Sequence, residues 1–306
     1  MRRVFENIRD RLIDYINQNE LKYVVCGVSG GLDSAVNSAI LSIVKNHVES
    51  ERRQKLGMYG TFIHIESNKP EERRTAKLVG EAFYGKDNYK ELDFTDLYVA
   101  TLQSFGEFSL GSQEGKIRRG NVKARLRANY LRHKAHEFGG IMIDNSNKTE
   151  YNLGFFTIGD NGDVSPLFNL WKSEVYELAK FLIEYFKFRE TATHKDNKEL
   201  AERDRKMQEA LQAAIDMTPT DGLGISNSDL EQIGADSYEQ VDIILKEYET
   251  QLWNGLPYLY TDRIERLKNL LPTVKPEIIE KVLMRHFKSE FKRNGLPKPI
   301  KRDDWI

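Results

Sequence analysis

The sequence predicts an α/β protein with a doubly wound parallel sheet and a helical C-terminal part. In the first half, short apolar runs next to glycines alternate with helical periodicity, and the later half is helical almost throughout. The 306 residues carry 46 basic and 47 acidic side chains, a formal net charge of −1. This balance provides no global field for a nucleic acid or an anionic membrane surface, so we expect neither as a partner.

The N-terminal segment is predicted to form an amphipathic helix. It carries a charge every two or three residues, a pattern that no signal peptide or membrane span tolerates. Its apolar side chains share one stripe at helical spacing: Val4, Phe5, Ile8, Leu12, Ile13 and Ile16. The single cysteine, Cys26, lies in an apolar run, where a buried, inert thiol is favoured over a nucleophile. One cysteine suits a reducing compartment, and we expect a cytoplasmic protein.

Four strands and three helices are predicted to alternate over the first half. The strands are Tyr23–Val28, Met58–Glu66, the weaker run around Leu92, and Gly139–Asn145. The helices are a stripe from Val36 to His47, about Pro70–Ala82, and roughly Gly120–Phe138. Such alternation argues for right-handed βαβ units, whose ligands bind beyond the carboxyl ends of the strands.

The later half is predicted to be mostly helical, beginning with a helix over Lys172–Phe188. A second helix, about His194–Met217, alternates its charges and is expected to be a solvated face or a flexible arm. Two segments are expected to be mobile: the glycine-rich Gly106–Asn121 and the C-terminal tail. We expect residues 1–306 to form a single domain, with a charged helical segment at about 188–217 and a tail at about 288–306.

The stretch Ser29-Gly30-Gly31-Leu32-Asp33-Ser34 lies where the first strand turns into a helix. Backbone amides left unpaired at such a junction form an anion site, glycine lets the backbone approach the anion, and hydroxyls add donors. The pattern is neither G-x-G-x-x-G nor G-x-x-x-x-G-K-[ST]. Asp33 would repel a polyphosphate unless a divalent cation lies between them; the alternative is a helix cap. A phosphate site is the favoured interpretation over a plain turn.

A second possible site, a metal pair formed by His133 and His136, is weak. The two residues are three apart on a predicted helix, but no acidic or cysteine third ligand accompanies them, so a solvated pair is favoured.

The Ser29–Ser34 loop resembles the SGGxDS loop of the ATP pyrophosphatase superfamily. Six further segments occur in the order of the NAD synthetase family: "GNVKARLR" (120–127), "SNKTEYNLGFFT" (146–157), "GDVSPLFNLWKSEVYELAKFL" (162–182), "PTDGLG" (219–224), "SYEQVDIIL" (237–245) and "EFKRNGLPKP" (290–299). Together they are far more specific than any one motif. The resemblance implies a Rossmann-like fold of the adenine nucleotide alpha hydrolase type.

The resemblance also implies roles for individual residues. ATP would be bound by Gly27, Val28, Ser29, Gly30, Gly31, Leu32, Asp33, Ser34, Asn145, Lys172 and Thr220, with Asp33 and Lys172 acting in catalysis. Asp33 and Glu150 would share Mg²⁺ as the cofactor. The dinucleotide substrate would be bound by Arg125, Asp163 and Lys292, the last within a tail that covers it.

The reaction implied is amidation of nicotinic acid adenine dinucleotide (deamido-NAD) to NAD through an acyl-adenylate, with ATP as co-substrate and release of AMP and pyrophosphate. Only 28 residues precede Ser29, too few for a glutaminase domain, so ammonia is the expected donor, with a separate glutaminase left open. The family implies a homodimer. Two alternatives remain: an RNA-modifying adenylating enzyme of the same superfamily, and a non-catalytic adenine-nucleotide binding module.

Three positions depart from the family pattern. Asp144-Asn145 replaces a Gly-Thr pair, Ile158 replaces a lysine, and Phe291 replaces a histidine. We expect the first two to alter contacts with ATP and with the dinucleotide.

Overall fold

A computed structural model describes residues 1–52, 55–66, 68–106, 113–220, 228–253, 255 and 259–293. The strands in these ranges are β1 (Tyr23–Gly27), β2 (Gly57–His64), β3 (Tyr89–Asp93) and β4 (Ile141–Ile143). The helices are α1 (Arg2–Gln18), α2 (Leu32–Arg52), α3 (Pro70–Phe83), α4 (Gly85–Asn88), α5 (Thr95–Ser104), α6 (Gln113–Glu137), α7 (Lys148–Leu153), α8 (Lys172–Phe188), α9 (Lys198–Asp216), α10 (Asp229–Ile233), α11 (Tyr238–Trp253), α12 (Tyr260–Leu270), α13 (Pro276–Lys288) and α14 (Glu290–Arg293).

The sheet is parallel in every pairing, with the order β3-β2-β1-β4. Its side chains alternate between two apolar clusters, as a sheet covered on both faces requires. Val24 and Cys26 point to the cluster that contains α2 and α8, whereas Val25 packs with Ala128 and Leu131 of α6. The predicted doubly wound α/β architecture is therefore confirmed, with strand bounds shifted by one or two residues.

The predicted amphipathic helix is α1. Phe5, Leu12, Ile13 and Ile16 are buried, and Val4 and Ile8 pack beside them. Phe5 stacks at an angle on Phe181 and Tyr185 of α8, with ring centroids 5.6 and 5.8 Å apart. The sequence predicts that His47 belongs to the apolar stripe of α2, but this residue is half-exposed. Its Nε2 lies 2.8 Å from Oε1 of Glu51.

The segment predicted as the mobile loop Gly106–Asn121 is helical over its second half, because α6 begins at Gln113 and not near Gly120. Gly115 and Gly120 are both buried within this helix. Packing there outweighs the low helix propensity of glycine, which misled the sequence-based prediction. Residues 107–112 lie outside the described ranges, as do residues 294–306 of the predicted tail.

Of the two alternatives predicted for His194–Met217, the flexible arm is wrong and the solvated outer face is confirmed. Helix α9 buries Met207, Ala210, Leu211 and Ala214 in the main apolar cluster, where it packs on α3, α8 and α2. Most of the charges that dominate its sequence lie on the opposite face, whereas Asp204 is buried and pairs with His194 and Arg189. A short π-helical turn, Arg189–Thr193, joins α8 to α9.

A second apolar cluster holds the C-terminal helices together. Val241 and Ile244 of α11 pack with Ile279 and Val282 of α13, and Trp171 joins them at the start of α8. Among the described residues, no helix is both long and apolar enough to cross a membrane. That residues 1–306 form one domain stays a prediction.

Replacing Leu211 with alanine tests the placement of α9. Leu211 is fully buried, so Leu211→Ala is expected to lower the free energy of unfolding by about 3 kcal/mol in urea denaturation. Lys206→Ala, on the exposed face of the same helix, serves as the control and should change it by less than about 0.5 kcal/mol. Equal effects would mean that α9 does not belong to the core.

Candidate active site

A cleft of about 700 Å³ opens at the carboxyl ends of β1, β2 and β4. Its walls come from the Ser29–Ser34 loop, from α6 and α7, from the start of α8, and from Met217–Thr220 after α9. This is the edge where a parallel α/β sheet binds ligands.

The Ser29–Ser34 loop makes the turn from β1 into α2 with Gly30 at φ +87°. A Cβ on Gly30 would lie 2.3 Å from the carbonyl oxygen of Glu72, so only glycine lets the loop pack against α3. Contrary to expectation, two loop amides are engaged: those of Ser29 and Gly31 donate to the hydroxyls of Ser34 and Ser29, each at 3.2 Å. The two hydroxyls therefore order the loop itself.

Asp33, Glu150 and Lys172 meet beside this loop. The ammonium of Lys172 bonds to Oδ2 of Asp33 and lies 3.1 Å from Oε1 of Glu150. Asn147 donates to the other oxygen of Asp33 at 2.9 Å. Asp33 and Lys172 are buried, so these charges interact with little solvent screening.

Burial and neighbouring charges shift the pKa of Lys172 and that of Glu150 in this cluster. Burial by itself would lower the pKa of Lys172, but Asp33 and Glu150 outweigh it and hold that pKa well above its ordinary value. Burial, together with the charge of Asp33, raises the pKa of Glu150 to about 8 despite the opposing effect of Lys172. With this raised pKa, Glu150 is mostly protonated near neutral pH, so Asp33 and Lys172 form the main charged pair. When ionised, the carboxylates of Asp33 and Glu150 are oxygen ligands of the kind that a hard divalent cation binds.

Backbone contacts fix the orientation of Glu150 and Lys172. Asn147 caps α7 by accepting from the amide of Glu150 at 3.0 Å, and Glu150 reaches back to the amide of Asn147 at 3.4 Å. Thr149 accepts from the amide of Lys172 at 2.8 Å and donates to Asp242, which also accepts from the amide of Ser173. Asp242, on α11, therefore ties the C-terminal helices to the start of α8.

Asn145 lies between β1 and β4 and not at a free edge. Its amide group donates to the carbonyl of Gly27 at 2.9 Å, and its oxygen accepts from Asn37 at 2.9 Å and from the Cys26 thiol at 3.5 Å. Cys26 is fully buried, and burial raises its pKa to about 11. The prediction of a buried, inert thiol is confirmed.

Thr220 and Lys292 line the same cleft. The hydroxyl of Thr220 donates to Glu72 at 2.6 Å. The ammonium of Lys292 donates to the carbonyls of Gly154 and Phe156, both at 2.7 Å, and burial lowers its pKa. The last described turn of the chain therefore packs against the loop that follows α7.

Arg125 and Asp163 lie outside the cleft lining. Arg125 is exposed on α6 and donates to the carbonyl of Ile158 at 3.0 Å. Asp163 accepts from the amide of Met142 at 2.8 Å and so completes the outer edge of β4. Their assignment to the dinucleotide stays a prediction. His133 is exposed, and its Nε2 lies 3.8 Å from Oε2 of Glu137. The described residues include no group of three His, Cys, Asp or Glu side chains placed to hold a metal.

Several cleft residues were missed from the sequence, among them Glu72, Arg127 and Asp160. Burial lowers the pKa of Arg127 to about 10. Burial and the charge of Asp144 raise the pKa of Asp160 to about 6. Arg127 lies in the same "GNVKARLR" segment as Arg125, two residues further along α6. Its place within that matched segment is the signal that could have singled it out, because residues two apart on a helix face different directions.

The fold and the site define an α/β enzyme of the doubly wound class, with its candidate cleft at the carboxyl ends of the strands and a glycine loop after the first strand. The family model described as NAD synthase matches residues 4–295, so the chain belongs to the NAD synthase family, whose members are ligases that use ATP. This confirms the family that the ordered motifs predict.

Similar proteins match either the whole chain or more than half of it. The NH(3)-dependent NAD(+) synthetase of Pyrococcus furiosus is 28% identical over 309 residues, which cover 100% of this chain and 99% of that one. The enzyme of the same name from Mycoplasma genitalium is 31% identical over 177 residues, covering 57% of this chain and 66% of the relative.

Solved structures share the fold. NMN synthetase from Francisella tularensis aligns with a TM-score of 0.68 at 21% identity, covering 98% of both chains. An NH3-dependent NAD synthetase from Campylobacter jejuni aligns with a TM-score of 0.63 at 20% identity, covering 98% of this chain and 99% of the other.

The buried position of Asp160 predicts a pH-dependent stability. Because its folded-state pKa is raised from 3.8 to about 6, its contribution is complete below the unfolded pKa and is lost as the pH rises through 6. Relative to Asp160→Asn, the wild type should lose about 2 kcal/mol of unfolding free energy between roughly pH 4 and pH 7. Urea denaturation at both pH values measures this. Parallel pH profiles for the two proteins would contradict the burial of this carboxyl.

Proposed function

We propose that this chain amidates deamido-NAD to NAD with ammonia, converting ATP to AMP and pyrophosphate. The observation that carries the proposal is the meeting of Asp33, Glu150 and Lys172 beside the Ser29–Ser34 loop, on the floor of the cleft. Close to a phosphate-binding turn, a buried ammonium held by two carboxylates is suited to a reaction that develops negative charge on a departing pyrophosphate.

The reaction would proceed in two displacements. A carboxylate oxygen of deamido-NAD attacks the α-phosphorus of ATP, and the bond to the bridging oxygen breaks, so that pyrophosphate leaves with the electron pair. Ammonia then attacks the acyl carbon, AMP leaves with its oxygen, and one proton is released. Neither step needs a protein nucleophile, in keeping with a buried Cys26 whose pKa is about 11.

The chain's own contribution is positioning and charge. The Ser29–Ser34 backbone would face the pyrophosphate, and Lys172 would neutralise its developing charge. We assign Mg²⁺ to Asp33 and Glu150, because both offer carboxylate oxygens beside the same ammonium and a bound cation would favour the ionised form of Glu150. When bound, the ion supplies positive charge to the phosphate oxygens. Lys172, released from one carboxylate, would then be available to the phosphates.

We assign deamido-NAD to Lys292 in the cleft and to Arg125 and Asp163 outside it. Arg125 lines a second groove of about 270 Å³ together with Phe105, which is 66% exposed. An exposed aromatic side chain beside arginines supports the proposal that this surface meets a second copy in a homodimer. Light scattering after size exclusion measures the mass in solution. We place the reaction in the cytoplasm, where a lone reduced cysteine is stable.

A substrate panel tests the function. The purified protein is incubated with ATP, Mg²⁺, ammonium and deamido-NAD, and we expect equimolar NAD, AMP and pyrophosphate. Nicotinic acid mononucleotide replaces deamido-NAD in a second arm, since one similar structure is an NMN synthetase. Glutamine replaces ammonium in a third. Faster turnover of the mononucleotide would refute the dinucleotide assignment. Pyrophosphate release only with RNA would indicate an RNA-modifying enzyme, and no turnover a binding module.

Asp33→Asn is expected to lower kcat about 100-fold while the protein stays folded. The amide has nearly the same shape, and it leaves Lys172 paired one-to-one with Glu150, so thermal unfolding should change little. Asp14→Asn, on the exposed face of α1, is the control. A variant with near-normal turnover would show that Asp33 takes no part in catalysis.

Lys292→Ala is expected to raise the KM for deamido-NAD about tenfold and to leave the KM for ATP within twofold. The lysine holds the loop after α7 through two carbonyls and faces the cleft. Lys288→Ala, an exposed lysine four residues earlier, provides the matched control. An unchanged KM for deamido-NAD would remove the C-terminal turn from the substrate site.

A further inference from the structure

We propose that Glu72 is a positioning residue for ATP, which acts by holding Thr220 at the wall of the cleft. The inference rests on the proposed function in that the cleft is taken to bind ATP. Glu72 belongs to none of the family motifs, and its role emerges only from contacts between distant parts of the chain.

Both carboxylate oxygens of Glu72 are engaged. Oε1 accepts from the hydroxyl of Thr220 at 2.6 Å. Oε2 accepts from the side chain of Asn68 at 2.9 Å and from the amide of Lys69 at 3.2 Å. The residue is 6% exposed. Its orientation is therefore fixed by groups on both sides.

The contacts continue across the wall of the cleft. Asn68 accepts from Arg127 at 2.8 Å, and Arg127 also donates to the carbonyl of Ile63 at 3.1 Å. A continuous chain of hydrogen bonds thus runs from α6, past the end of β2, through Asn68 and Glu72 to Thr220. Arg127, Asn68, Glu72 and Thr220 all line the cleft. These hydrogen bonds tie together residues from three separate parts of the cleft lining.

Glu72 also contacts the phosphate-binding loop through its backbone. Its carbonyl oxygen occupies the space that a Cβ on Gly30 would take. Glu72 therefore contacts the Ser29–Ser34 loop through its main chain and Thr220 through its side chain. The distance between these two predicted parts of the ATP site depends on Glu72.

A purely structural role would be that of a helix cap. The cap of α3 requires the bond from Oε2 to the amide of Lys69 and no more. The bond from Oε1 joins residues 148 positions apart in the chain and adds nothing to the cap. A charged acceptor makes the stronger hydrogen bond, so the bond to Thr220 has the strength needed to fix the position of that residue.

Binding of a non-hydrolysable ATP analogue, measured by titration calorimetry, tests the role of Glu72 without requiring turnover. Glu72→Gln is expected to raise the Kd about tenfold, because one charge-assisted hydrogen bond is lost. In the NAD-forming assay the KM for ATP should rise by a similar factor, with the KM for deamido-NAD within twofold. Glu71→Gln, an exposed neighbour on the same helix turn, should match the wild type.

A double-mutant cycle separates positioning from folding. If Glu72 acts through Thr220, Glu72→Gln combined with Thr220→Val should bind the analogue no more weakly than Thr220→Val alone. Glu72→Asp keeps the charge but moves the carboxylate oxygen away from Thr220, so its affinity for the analogue should lie between those of the wild type and Glu72→Gln. It also provides a folded variant if the amide destabilises α3.

Two results would overturn the proposal: unchanged analogue affinity in Glu72→Gln and Glu72→Asp, or strictly additive losses in the cycle. A lower unfolding midpoint with unchanged affinity would leave Glu72 as a helix cap only. Analogue binding without turnover by the wild type would refute the proposed reaction, while the cycle would still decide the role of Glu72.

Discussion

The ion pairs of Lys172 with Asp33 and Glu150 organise the site on which the rest depends. Each partner comes from the start of a different helix, α2, α7 or α8, and each helix follows a different connection at the same sheet edge. Asp33 and Lys172 are both buried, so leaving either charge without a partner would be costly, and the starts of α2 and α8 are held together. A cation bound beside the two carboxyl groups would favour the ionised form of Glu150, whose pKa burial and the charge of Asp33 raise to about 8.

The second constraint is steric. Gly30 lets the Ser29–Ser34 loop lie directly on the first turn of α3, and α3 in turn packs against α9. The C-terminal helices reach the same place from the other side, because Asp242 on α11 holds both Thr149 and the start of α8. The cleft is therefore shaped by both apolar clusters, and its walls are not the product of the sheet alone.

Much of this arrangement could be predicted from local patterns. The strands are apolar runs next to glycines, and α8 begins and ends at the predicted residues because its apolar spacing is regular. The parallel sheet then brings Asp33 and Glu150 to one edge by topology alone. The resemblance to the NAD synthetases supplied the role of Lys172, which a single lysine at a helix start does not reveal.

What could not be predicted depends on contacts between distant residues. Charges along α9 mask an apolar stripe that is evident only once α3 and α8 lie against it. Glu72 and Asp242 look like surface acids in sequence, because their partners Thr220 and Thr149 are 148 and 93 residues away. Gly115 and Gly120 indicated a loop, whereas burial inside α6 made them part of a helix. In each case tertiary packing outweighed local propensity.

The outer margin of β4 has a consequence for self-association. The carboxylate of Asp163 accepts a hydrogen bond from the amide of Met142, and the amide of Asp163 donates to the carbonyl of Met142. The amide of Asp144 donates to the carbonyl of Val164. The backbone groups with which another strand would pair are thus already hydrogen-bonded within the chain, and the carboxylate of Asp163 lies at this edge. Sheet extension by a neighbouring molecule is blocked on this side, which protects a short parallel sheet from growing into fibres.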